Sequence, residues 1–191
     1  MTRFWWVRHG PTHQTTMTGW RDVPADLSDQ ALISRLNAVL PRPAVLVSSD
    51  LIRATATADC LAEGRQRLPH LRTLREFNYG DWEGKGFDEI SRTHPNASRA
   101  YWETPGETAP PNGESWNDLS TRVTAGVAAL IAAHPGQDII AVAHMGVILT
   151  QLQHALGIAA HQVVRYRIEP LSITCLVHDG NWRADTISHL P

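Results

Sequence analysis

Cysteine is scarce in this chain: Cys60 and Cys175 are the only two, and they lie far apart. That excludes a scaffold built on disulfides and points to two reduced thiols. Long hydrophobic runs are missing too. No stretch is long enough to span a bilayer. The apolar run at residues 4–7 is short and ends against a charged residue, so the N-terminus does not read as a signal peptide. Excess charge of one sign is absent. A formal net charge of −2 leaves no electrostatic footprint for nucleic acid or a membrane surface. There is no metal-ligand spacing, no internal repeat and no low-complexity linker.

What is present fits one globular domain over residues 1–191. A chain of 191 residues can bury roughly 70% of the surface it exposes when unfolded, enough for a core without staples. Apolar runs at residues 3–7, 44–47, 138–143 and 172–177 read as strands. A further strand at 182–187 could pair with the last of these across the Asp179-Gly180 turn. Helices are expected at 29–40, at 51–63 with Gly64 as a stop, and at 146–156 closed by Gly157. The clearest helix runs from 116 to 134, where Trp116, Leu119, Val123, Val127, Leu130 and Ile131 share one face. Ser115 and Asp118 provide a capping-box start, and Pro135-Gly136 ends it. The alternation implies a three-layer α/β/α sandwich around a mostly parallel sheet. Residues 104–113 (TPGETAPPNG) read as an exposed loop beside the site.

Three strand ends share one character: apolar residues give way at once to charged or hydrogen-bonding ones. These are Val7-Arg8-His9-Gly10-Pro11-Thr12, Val47-Ser48-Ser49-Asp50-Leu51-Ile52-Arg53 and Val142-Ala143-His144-Met145-Gly146. Ligands of open α/β sheets bind beyond the carboxyl ends of the strands. Parallel neighbours would therefore bring Arg8, His9, Arg53 and His144 to one spot. Two guanidinium forks suit phosphate oxygens. A neutral imidazole can attack phosphorus with its unprotonated nitrogen. Gly10 allows close backbone approach, and the helix opening near Leu51 would aim its positive end at the same anion. A leaving alkoxide needs a proton, and Glu76, Asp81 and Glu83 are all candidates to supply it.

Arg8-His9-Gly10, SSDLIRATATA at 48–58, LREFNYGDWEG at 74–84, NGES at 112–115 and AHMG at 143–146 follow one another in an order and spacing that resemble the histidine phosphatase superfamily, also called the phosphoglycerate mutase-like family. The resemblance runs from residue 3 to about residue 150. It implies that His9 is the histidine that becomes phosphorylated. It also implies that Arg8, Arg53 and His144 complete the phosphate pocket, and that Glu76 is the proton donor. The expected substrate is a small-molecule phosphate ester, with no metal and no cofactor, and a cytoplasmic setting. No oligomeric state is read from the chain.

The chain departs from the family pattern in two places. Pro11 stands where many relatives have Glu or Gln, and Thr15 stands where many have an Asn that helps hold phosphate. A threonine hydroxyl can still donate one hydrogen bond there. The segments at 13–24 and 85–113 are expected to shape the pocket mouth, the latter as a variable substrate loop. Two alternatives remain beside a phosphatase: a mutase that returns the phosphoryl group to its substrate, and a non-catalytic module that binds phospholigands. The segment before Gly80-Asp81-Trp82-Glu83-Gly84 is similar to phosphatases of the α-ribazole type, in wording shared by several branches.

Overall fold

A computed structural model describes residues 1–191. Continuous apolar runs form the middle of the sheet, because only strands covered on both faces can do without polar positions. These runs are β2 (Val45–Ser48) and β4 (Ile139–Ala143), in which every residue is buried. They are flanked by β1 (Thr2–Arg8), β3 (Gln66–Arg67), β5 (Ile173–His178) and β6 (Trp182–His189). The six strands lie in the order β3-β2-β4-β1-β5-β6. The pairs β3/β2, β2/β4 and β4/β1 are parallel; β1/β5 and β5/β6 are antiparallel. Only β5 runs against the rest, so the sheet is mostly parallel. The expected β5–β6 hairpin forms across Asp179-Gly180, and β3, two residues long, is an element the sequence pattern did not show.

Alternation along the strands divides the core into two layers. Phe4, Trp6, Val45, Val47, Ile139 and Ala141 face one apolar cluster. It is covered by α5 (Trp116–Ala133) and α6 (Met145–Leu156). Val7, Leu46, Ile140 and Val142 face the other, covered by α1 (Gln30–Val39) and α2 (Ile52–Asp59). The result is the expected α/β/α sandwich. Ser115 caps α5 by accepting from the Asp118 N–H while the Asp118 carboxylate accepts from the Ser115 N–H, a full capping box.

Two readings shift. Helix α2 stops at Asp59 rather than 63. Residues 60–64 unwind into turns, and the carbonyl of Leu61 accepts from the Arg65 guanidinium, which also reaches the carbonyls of Asn37, Leu40 and Pro41. The Arg65 guanidinium thus donates to the Leu61 carbonyl in place of the Arg65 N–H, which bonds Ala62 O instead. Residues 85–103 hold two short helices, α3 (Phe87–Thr93) and α4 (Pro95–Glu103). Pro95 opens α4 at a position where its missing N–H costs nothing. A small helix, α7 (Ala160–Val163), follows α6. The 104–113 loop is tied down: the Asp81 N–H donates to Pro111 O, and the Glu114 N–H to Asn78 O.

Candidate active site

The parallel register brings the three strand ends level. Arg8 pairs with Ala143, and Ser48 with Val142. The ladder continues one step past the strands, with the His9 N–H on Ala143 O at 3.0 Å and the Ser49 N–H on Val142 O at 3.1 Å. His9 and His144 therefore emerge side by side, with ring centroids 5.0 Å apart and edge to face. Arg8, His9, Arg53 and Glu76 all line one cavity of about 190 Å³. His144 lies fully buried behind it, against Arg53.

Hydrogen bonds fix each ring. His9 Nδ1 lies 2.7 Å from Gly10 O, a carbonyl that can only accept. Nδ1 therefore carries the proton and Nε2 keeps its lone pair. His144 shows the reverse tautomer. Its Nδ1 accepts from Arg53 Nε at 3.2 Å, so its proton sits on Nε2, which has no partner within the chain. Burial holds both imidazoles neutral, and the nearby Arg53 guanidinium adds to the effect. His9 falls to about 3 and His144 well below the usual histidine range.

Arg53 is buried, and three of its five N–H groups are taken, by His144 Nδ1, Arg21 O and Gly19 O. Glu83 builds the loop that supplies those carbonyls, accepting the N–H groups of Gly19 and Trp20. Arg8 Nη1 is held by Ile168 O, while its Nε has no partner within the chain. Two guanidinium groups and two neutral imidazoles thus give a cationic cavity suited to a phosphate dianion.

Glu76 sits opposite in character. Burial raises its pKa, and this outweighs the N–H groups of Gly146 and Phe77, which favour the charged form. Gly146 is required here. A Cβ on it would lie 2.4 Å from Glu76 Oε1 and 2.5 Å from the Phe77 ring. The Glu76 carbonyl is fixed from behind by Trp20 Nε1 and Arg122 Nη2. Asp81 and Glu83 do not share the acid's place: Asp81 accepts from the Asn112 side chain, and Glu83 serves the 19–20 loop.

Gly10 and Thr15 are not brought to the cavity wall. The Gly10 N–H donates to Thr57 Oγ1, and a Cβ at Gly10 would lie 2.7 Å from Leu27 Cδ2, so its smallness serves loop packing. Thr15 is exposed, and Thr12, Gln14, Thr16 and Thr18 line the cavity instead. The start of α2 is also committed within the chain, since the Ile52 N–H donates to Asp22 Oδ1 at 2.7 Å. Sequence reasoning left Arg122 out. It hydrogen-bonds the carbonyls of Thr73, Arg75 and Glu76 and pairs with Glu114. Its place on the α5 face beside the apolar stripe was the only available sign. A wider depression, about 670 Å³, lies by α5, α6 and the β5–β6 hairpin, and none of these candidates lines it.

The chain is similar to the adenosylcobalamin/α-ribazole phosphatase of Salmonella typhimurium, 32% identical over 87% of this chain and 86% of that protein. It is also similar to the glucosyl-3-phosphoglycerate phosphatase of Mycolicibacterium vanbaalenii, 33% identical over 80% of this chain and 73% of that protein. The solved structure of Bacillus stearothermophilus YhfR superimposes with a TM-score of 0.89 at 25% identity, covering 100% of this chain and 98% of that one. The sequence model of the histidine phosphatase superfamily, branch 1, matches residues 4–187, and over that span the chain belongs to this superfamily.

Proposed function

We propose that the protein hydrolyses small-molecule phosphate monoesters through a phosphohistidine formed on His9. The observation that carries this is the His9 tautomer. Its Nδ1 is bound to Gly10 O, and its Nε2 stays unprotonated in a cavity it shares with two arginines and a carboxyl whose pKa burial raises. In this reading His9 Nε2 attacks phosphorus, and the bond from phosphorus to the ester oxygen breaks. Glu76 gives that oxygen its proton and the alcohol leaves. The Glu76 carboxylate then takes a proton from water, whose oxygen attacks the phosphohistidine and releases phosphate and free His9. Arg8, Arg53 and the His144 Nε2–H stabilise charge on the three transferred oxygens.

The whole of residues 1–191 acts as one domain in this reading, since both apolar layers share a single sheet. No helix is long and apolar enough to cross a membrane. The free thiols of Cys60 and Cys175 suit a cytoplasmic setting.

The test is phosphate release from a chromogenic aryl phosphate in the presence of a chelator, with wild type beside His9→Ala. The expected loss in the variant is roughly 10³-fold or more. Acid quenching of the wild type should trap an acid-labile phosphate on the peptide containing His9. Release that survives in His9→Ala rejects the mechanism. With a phosphate ester that carries a second hydroxyl, transfer of the phosphoryl group to that hydroxyl without free phosphate identifies a mutase instead.

A further inference from the structure

Two cavities meet at the site. The polar one holds Arg8, His9, Arg53 and Glu76. The second, about 320 Å³, is walled by side chains such as Phe77, Tyr101, Trp102, Trp116 and Leu149, and no charged side chain lines it. Tyr79, Phe87 and Met145 belong to the walls of both, so the two spaces adjoin at these side chains.

The chemistry of the site decides which part of a substrate enters the second cavity. The phosphoryl group must lie between His9 and the arginines. The ester oxygen must lie beside Glu76, which protonates it. Phe77 follows Glu76 directly, and the Gly146 N–H holds Glu76 Oε2 at 3.1 Å. Both Phe77 and Gly146 line the apolar cavity. The carbon skeleton attached to the ester oxygen is therefore directed from Glu76 into the apolar space.

That space favours rings. Trp102 lies edge to face with Tyr101 at 4.8 Å, tilted against Phe87 at 5.6 Å and near Tyr79 at 6.4 Å. A flat ring system gains apolar burial and aromatic edge contacts there. A carboxylate or a polyhydroxylated chain would lose water without finding a cation or enough hydrogen-bond partners.

We propose that the preferred substrates are phosphate monoesters of alcohols that carry an aromatic ring system, held in the pocket between Phe77, Trp102 and Leu149, rather than esters of sugars or hydroxy acids. This rests on the phosphatase reading of the same site.

The experiment compares 2-(1-naphthyl)ethyl phosphate with glycerol 3-phosphate and 3-phosphoglycerate. All three release an aliphatic alcohol, so the ring is tested rather than the leaving-group acidity. Wild type should show a kcat/KM at least tenfold higher for the naphthylethyl ester. Trp102→Ala and Val164→Glu alter partly exposed wall positions, and circular dichroism checks that both variants fold. Each should shrink that advantage several-fold, chiefly through KM. Equal kcat/KM for the three esters in the wild type overturns the proposal, as does an equal loss for all esters in both variants. If the wild type releases phosphate from none of them, or His9→Ala retains full release, the phosphatase reading itself falls and this proposal with it.

Discussion

Burial acts in opposite directions on His9 and Glu76, two titratable groups that line the same cavity. It lowers the pKa of His9 and raises that of Glu76, because in each case the charged form loses its hydration. Burial thus moves one group toward a base and the other toward an acid. The acid matters most for poor leaving groups. Replacing Glu76 with Ala should lower kcat/KM for alkyl phosphates by about 10²–10⁴-fold. For 4-nitrophenyl phosphate, whose leaving oxygen needs little protonation, the loss should be within about tenfold. Equal losses for both substrates would assign Glu76 a structural role instead. Glu76→Gln is a poor substitute for this test. Both carboxyl oxygens accept from backbone N–H groups, and an amide would turn a donor toward one of them.

Among the elements, α5 is the platform behind the acid. Its Arg122 reaches three carbonyls of the 73–76 segment and forms a two-pronged pair with Glu114, whose Oε2 also accepts from the Asn78 N–H. Both partners of the pair are mostly buried. Arg122→Met leaves the Glu114 carboxylate with the Asn78 N–H but no cation, and takes one donor from each of three carbonyls, of which that of Glu76 keeps Trp20 Nε1. Urea denaturation should show a loss of about 3 kcal/mol. The double variant Glu114→Gln/Arg122→Met should recover part of that loss, because the lone buried charge is gone. A double variant less stable than Arg122→Met would show that the pair's charge is not what the platform depends on. Ser115→Ala, at the start of the same helix, should cost about 1 kcal/mol through the lost cap.

At the scale of the whole molecule, the buried histidines tie stability to pH. The folded-state pKa of His9 lies at about 3, against 6.5 for an unperturbed histidine, and His144 is displaced the same way. Below about pH 6.5 the unfolded chain binds protons that the native state refuses, so stability falls as pH drops, by about 1.4 kcal/mol per pH unit for each histidine. Glu76 opposes this, because its raised folded pKa adds native stability as pH falls toward 4.5; one group acts against two. Calorimetry should give a lower Tm at pH 5 than at pH 7, and His9→Gln should flatten that slope. A Tm that holds or rises on acidification would contradict the burial of neutral histidines. Asp50, held low by Arg75, loses its stabilising charge only at more acidic pH.

Much of this was legible along the chain. Apolar runs without polar positions mark β2 and β4, since a strand covered on both faces has no use for them. The capping box marks the start of α5, because capping is a local bond between residues three apart. Arg8, His9, Arg53, His144 and Glu76 stand out because they follow strand ends or occur in a recognisable order. Short helices such as α3 and α4 were hidden, since so few residues carry a weak period and their formation depends on packing. Sequence alone settled the residue types at the strand ends and the two-faced pattern that makes an α/β/α sandwich. Tertiary structure alone decided the rest: which histidine nitrogen keeps its lone pair, that Gln14, Thr16 and Thr18 rather than Thr15 line the cavity, and that an uncharged aromatic pocket adjoins Glu76. Those facts depend on groups distant in the chain, and neither a tautomer nor a cavity wall exists until folding brings its partners together.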